Sequence, residues 1–177
     1  MRAYTPGGRF DSDFELDSMG DGITTDLTNP AGTTAEWWKF DQVNSTKDPI
    51  YDVEPLGIGR LWRGPFVIQI VRASISQGST PLTDRGFYNA DTLHITLNVD
   101  DLRAVSPELF NDRGLVKATV DITNRYRLVW KDQVYRPVKT QQSGQVANRH
   151  TIVTLDLIQL MPDELVNDAQ FLEYAQA

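Results

Sequence analysis

The sequence predicts a mainly β fold, a small barrel or sandwich of five to six strands carrying a long N-terminal arm. Three features predict it. Leu93, Ile95, Leu97 and Val99 alternate with Thr92, His94, Thr96 and Asn98, the period of a half-buried strand. Phe66–Ile75 is dominated by β-branched residues and starts directly after a proline. Short turn signals separate the apolar stretches, and the clearest is Lys131-Asp132 between two strand-like runs.

The chain of 177 residues fits one domain, or one domain with an arm. Its 40% of hydrophobic residues suffices for one core. A mean hydropathy of −0.37, with no long apolar run, predicts no transmembrane helix and no membrane partner. The first residues, MRAYTPGGRFDSDFELD, lack the apolar stretch of a signal peptide. Cysteine is absent, which excludes disulfides, thiolate metal sites and cysteine nucleophiles and suits a reducing cytoplasm.

In chain order, residues 1–35 are rich in Gly, Asp, Ser and Thr and read as a flexible arm, with Phe10, Phe14 and Leu16 as local anchors. Residues 36–65 hold Trp37, Trp38, Phe40, Tyr51 and Trp62 between Asp48-Pro49, Glu54-Pro55 and Gly64-Pro65. Prolines at this density prevent a long helix and suggest an extended aromatic strap, docked on its own domain or on a neighbour. If the strap is extended at Trp37-Trp38, the two rings project to opposite sides.

A β domain is expected over 66–161. After the strand at Phe66–Ile75, Gln77–Pro81 reads as a turn, Asp91–Val99 as a strand and Asp100-Asp101 as a turn. Ser106-Pro107-Glu108 has the cap, proline and acid of a short helix start. Val116, Ala118, Val120 and Ile122 alternate as another strand. Tyr126–Trp130 and Gln133–Thr140 form a hairpin, with Pro137 marking an edge or a bulge. Gln141–Arg149 reads as a polar loop and Thr151–Leu160 as the last strand. Residues 162–177 read as a helical tail starting at Pro162, with Leu165, Ala169 and Leu172 in one stripe widened by Val166 and Phe171.

The search for chemistry finds little. His94 and His150 have no carboxylate or nucleophile at a recognisable spacing and read as structural histidines. Gly57-Ile58-Gly59 lacks the following helix of a nucleotide site. A calcium loop starting at Asp17 would have Met19 at its third position and Thr28 at its twelfth, where a carboxylate or amide and a bidentate Glu are needed. No catalytic residue, cofactor or metal is therefore expected.

Basic and aromatic residues do cluster, at Arg60-Leu61-Trp62-Arg63 and at Arg125, Tyr126, Arg127 and Trp130. Such clusters on a small barrel suit an oligonucleotide/oligosaccharide-binding-like module for single-stranded nucleic acid. They equally suit a subunit interface, which is enriched in Trp, Tyr and Arg.

Charge is segregated. The net charge is −7, yet residues 113–149 hold eight basic residues and two acidic ones, and residues 150–177 hold five acids and no Lys or Arg. Segregation of this kind allows head-to-tail contact between copies, and equally allows pairing within one chain.

The run WWKFDQVNSTKDPIYDV, followed by GRLWRGPFVIQIV, resembles the head-to-tail connector proteins of tailed phages of actinobacteria. Trp37, Trp38, Phe40, Asp41, Asp48, Tyr51, Asp52, Gly59, Arg60, Trp62, Gly64 and Pro65 carry the likeness, and Val53 departs from it where those proteins have Glu. A second likeness, over residues 84–160, is to the small β-barrel of head-completion (stopper) proteins; its centre is the hairpin at Arg127–Tyr135. The resemblance implies a non-enzymatic virion protein of the phage neck, assembled in the host cytoplasm. It would form a six- or twelve-fold homo-oligomeric ring between a portal or adaptor protein on the head side and a tail terminator on the tail side, with packaged double-stranded DNA in its channel. Head–tail adaptor and tail-terminator ring protein are the neighbouring alternatives. On this reading Trp37, Trp38, Phe40, Tyr51, Arg60 and Trp62 are candidates for subunit interfaces. Arg125, Arg127, Lys131, Arg136 and Lys139 are candidates for the DNA channel or an interface.

Overall fold

The computed structural model describes residues 14–15, 17–18, 22, 33–45, 59–78, 91–112, 114–117, 124–146, 149–165 and 168–174. Most of the arm, the strap between residues 46 and 58 with Tyr51, and the strand expected over 118–122 lie outside them.

The fold is mainly β: one curled, barrel-like antiparallel sheet of seven strands. They are β1 (Thr34–Phe40), β2 (Trp62–Gln69), β3 (Arg72–Ser76), β4 (Thr92–Asn98), β5 (Tyr126–Trp130), β6 (Gln133–Val146) and β7 (Arg149–Gln159). Their order across the sheet is β2-β1-β5-β6-β7-β4-β3. The two edge strands, β2 and β3, are consecutive in the chain. Between them the Ile70 N–H donates to Thr33 O beside β1, and the Val71 N–H donates to Thr96 O of β4. Neighbouring amides thus reach opposite edges of the sheet, and this link curls it.

Several sequence expectations change. The first part of the strap is β1, a strand between β2 and β5. The strand expected from Phe66 begins at Trp62, ahead of Gly64-Pro65, and stops at Gln69, where the chain crosses between edges. Gly64 permits this path: a Cβ there would meet Trp37 O and the Trp38 ring at 3.0 Å. Asp100-Asp101 is the first turn of a helix, α1 (Val99–Val105), whose cap Asn98 accepts from the Asp100 N–H through its side chain at 3.0 Å. Gln141–Arg149 continues β6 into β7, with Gln145 opposite His150.

Other expectations hold. Lys131 and Asp132 take φ of 49° and 60°, the left-handed pair that a tight hairpin needs. The β6 register shifts between Pro137 and Lys139, a bulge at the proline. Ser106-Pro107 opens a single 3₁₀ turn, Pro107–Leu109.

The core lies inside the curl. Ala35, Trp37, Ile68, Leu93, Ile95, Leu97, Leu128, Tyr135, Val153, Leu155 and Leu157 point inward from six of the strands. Val99 and Leu102 of α1, with Leu109 and Phe110, cover that interior. The predicted C-terminal helix is broken. A short helix, α2 (Pro162–Leu165), is followed by a 3₁₀ turn at Ala169–Phe171. Leu165 and Phe171 are buried, while Leu172 is 42% exposed and leaves the predicted stripe.

Candidate functional site

Trp37 and Trp38 divide the molecule into layers. On an extended strand neighbouring side chains face opposite ways. Trp37 points inward and is 1% exposed. Its indole N–H donates to the Ser106 hydroxyl at 2.9 Å, and its ring stacks on Tyr126 with centroids 5.1 Å apart. Trp38 points outward, half-buried, and meets Phe171 edge-on at 5.2 Å.

The outer layer is a second cluster. Trp62, Val129, Val134, Leu160, Leu165 and Phe171 are buried in it, and Trp38, Phe40 and Tyr174 pack half-buried around them. Strands β1, β2, β5 and β6 supply one side of this layer and the C-terminal segment supplies the other. The segment is held by three devices. First, the Gln170 side-chain amide pairs with the backbone of Trp62: its oxygen accepts from the Trp62 N–H at 2.6 Å and its nitrogen donates to Trp62 O at 2.9 Å. A side chain thereby takes the place of a neighbouring strand at the edge of the sheet. Second, Asp168 accepts from the Trp62 indole N–H at 3.1 Å. Third, Arg60 Nε lies 2.7 Å from the same Asp168 oxygen, with both side chains almost wholly buried.

Arg127 completes the layer. It is 1% exposed, with its guanidinium 4.5 Å from the Trp62 ring centre and donating to Asn124 O and Tyr126 O. Burial lowers its pKa to about 10, which leaves it charged at neutral pH. Burial also pushes the Asp168 carboxyl up, against the pull of the Trp62 indole and the two guanidiniums. The Arg60–Asp168 link joins residues far apart in sequence, and spacing gave no signal for it.

The interface candidates therefore separate. Trp37 belongs to the inner core, and Arg60 and Trp62 lie under the C-terminal segment. Trp38 and Phe40 keep part of their surface in water. Leu61 and Leu172, next in sequence to buried Trp62 and Phe171, are each 42% exposed. Tyr51 lies outside the described residues.

The basic candidates separate too. Arg127 is buried. Arg125 lines an open cleft of about 370 Å³ with Lys39, Asp41, Arg63 and Glu108. Lys131 sits at the hairpin turn, 4.5 Å from the centre of the Trp130 ring. Arg136 and Lys139 lie on β6, with Arg136 within electrostatic reach of buried Arg127.

One pairing invisible in the sequence is His94 with Asp156. The register sets them opposite each other on β4 and β7, with Nδ1 2.6 Å from Oδ1. Sequence spacing gave no carboxylate for His94; the strand register supplies one. Among the described residues no group of three or more His, Cys, Asp or Glu is placed to hold a metal ion. No described helix is long and apolar enough to cross a membrane. Comparison with known proteins finds no family model that matches the chain and no match among curated proteins.

Proposed function

We propose that the chain is a structural protein of a phage neck, a ring that joins the portal side of the head to the tail and helps retain the packaged DNA. The observation that carries this reading is the convergence of the residues that resemble connector proteins. Trp38, Phe40, Arg60 and Trp62 come together in one aromatic layer on the outside of the sheet, and Gly64 lies against Trp38. They brace a surface whose rim, Trp38, Phe40 and Tyr174, stays partly exposed. A rim of this kind has the composition of a subunit interface, with aromatic anchors near an arginine. In the proposed ring it meets a different surface of the next copy, the heterologous contact that a closed ring requires.

The reading as a single-strand-binding module has less support. Trp62, Arg127 and Trp130 are each 8% exposed or less, which removes the stacking surfaces it needs.

Two measurements test the proposal. Peptide mass spectrometry of purified virions is expected to find the chain, and native mass spectrometry of isolated necks to find it as a closed ring. Deleting its gene is expected to leave filled heads and finished tails unjoined. Virions that lack the chain, or normal joining without it, would overturn the proposal. The neighbours found in the isolated neck separate stopper, adaptor and tail terminator.

A further inference from the structure

We infer that the outer face of β3, β4, β7 and β6 is a phosphate-binding surface for double-stranded DNA, an inference that rests on the neck reading for the source of the polyanion. Residues paired across an antiparallel sheet share a face. On this face the registers line up three rows, the middle one Ser74, His94, Asp156 and Lys139. Arg72 begins one neighbouring row and Arg136 ends the other. The opposite face of β4 and β7 belongs to the core, so these rows point to solvent.

The bulge at Pro137 shapes the face. A regular strand would set Arg136 and Val138 on one side. The extra residue leaves Val138 aside and brings Lys139 opposite Asp156 and Arg136 opposite Ile158. Re-aiming a side chain is a recurrent use of a bulge. Both cations thereby join Arg72 on the same surface.

The charge is inverted relative to the rest of the chain. Three permanent cations, Arg72, Arg136 and Lys139, stand against one carboxylate, and His94 Nδ1 sits 2.6 Å from that Asp156 carboxylate. The chain as a whole carries −7. Hydroxyls and an amide fill much of the remaining face, among them Ser74, Thr96, Thr154 and Gln141. Arg, Lys, Ser, Thr and Gln are the side chains that contact DNA phosphates. The rows contain no Phe, Tyr or Trp, so the face has neither the stacking platforms of single-strand binders nor the aromatic centre of a protein interface. Three strand spacings of about 4.8 Å, with offsets of two and four residues along the strands, put Lys139 roughly 16 Å and Arg136 roughly 20 Å from Arg72. Long side chains at such separations can reach the phosphates on both sides of a major groove ~12 Å wide.

The test uses the purified chain and a labelled 20-base-pair duplex, with binding followed by fluorescence anisotropy. Three phosphate contacts predict a slope of log affinity on log salt near −2.7, an about 40-fold loss from 50 to 200 mM salt, independent of base sequence. The triple variant Arg72→Glu, Arg136→Glu, Lys139→Glu is expected to abolish binding with its melting curve retained. Lys117→Glu, whose amine donates to Glu108 O on the side that covers the inner face, is expected to bind as the wild type does. No binding by the wild type at 50 mM salt would overturn the inference. So would tighter binding to a single strand, equal loss in Lys117→Glu, or loss of self-association in the triple variant with DNA binding intact. The assay contains no virion component. Absence of the chain from virions would sink the neck reading and leave this result standing, and a failed anisotropy test would leave the neck reading standing.

Discussion

Two adjacent tryptophans report on two differently built layers. Around Trp37, residues come from strands that neighbour one another in the sheet, nearly all are apolar, and the Trp37 indole donor finds the Ser106 hydroxyl. Around Trp38, the layer mixes aromatics with two guanidiniums, a carboxylate and an amide, and its outer half is supplied by the C-terminal segment. The inner layer is held by area removed from water, which is non-directional and tolerant of small shifts. The outer layer is held by partners that fail if either one is removed. The inner layer therefore frames the monomer, and in the proposed ring the outer layer determines whether one surface is presented to a neighbour.

The sharpest way to break this comparison is Trp37→Ala. It removes a fully buried ring and leaves the Ser106 hydroxyl without its indole donor. An equilibrium urea melt is expected to show a loss of about 3–5 kcal/mol. A loss below about 1 kcal/mol would mean that the inner layer is not the frame.

Asp168→Ala comes next. It strands a buried guanidinium and the Trp62 indole N–H, and the expected cost is about 3 kcal/mol. The location of the damage matters more than its size. Hydrogen exchange is expected to rise over α2 and the following turn, with β4 and β7 still protected. Uniform loss of protection would merge the two layers into one cooperative unit.

Gln170→Ala removes both hydrogen bonds to the Trp62 backbone, at an expected cost of about 1–2 kcal/mol. Limited proteolysis of the C-terminal segment is the readout. Unchanged cleavage would show that the Asp168 contacts and the apolar packing hold the segment without Gln170.

The smallest effect concerns pH. Asp41 is held down at about 2, chiefly by the Asn44 side chain, then by backbone N–H groups and Arg63. Because its folded value lies below the ordinary 3.8, its contribution is complete above that value and is lost as pH falls toward 2. Its cationic partner Arg63 is exposed, which keeps the contribution small. Comparing melts of wild type and Asp41→Asn between pH 5 and pH 2 checks this, and identical pH dependence in the two would contradict it.

The inner layer was largely legible in the sequence because it follows the two-residue period. Leu93, Ile95 and Leu97 face inward as their alternation requires, Lys131-Asp132 turns the hairpin, and Pro137 bulges. Legibility stopped where a local cap or a distant partner decided the structure. Val99 continues the alternation, yet Asn98 caps a helix there. Gln141–Arg149 is polar and reads as loop, although much of a hairpin that reaches into water is polar. The C-terminal stripe fails because Asp168 is committed to Arg60 and Trp62, the latter 106 residues away. His94 and Asp156 meet only through register. Candidate interface residues were recognisable as a group. Their division between core, clasp and rim required the third dimension.

The most direct test of the central claim is Trp38→Ala, measured for melting temperature and for head–tail joining in a phage that carries the variant. Half-buried Trp38 contributes on the order of 1–2 kcal/mol to the monomer, so the folded protein is expected to survive with its melting temperature lowered by only a few degrees. Joining is expected to fail. Normal joining by a folded Trp38→Ala protein would contradict the assignment of this rim to subunit contact.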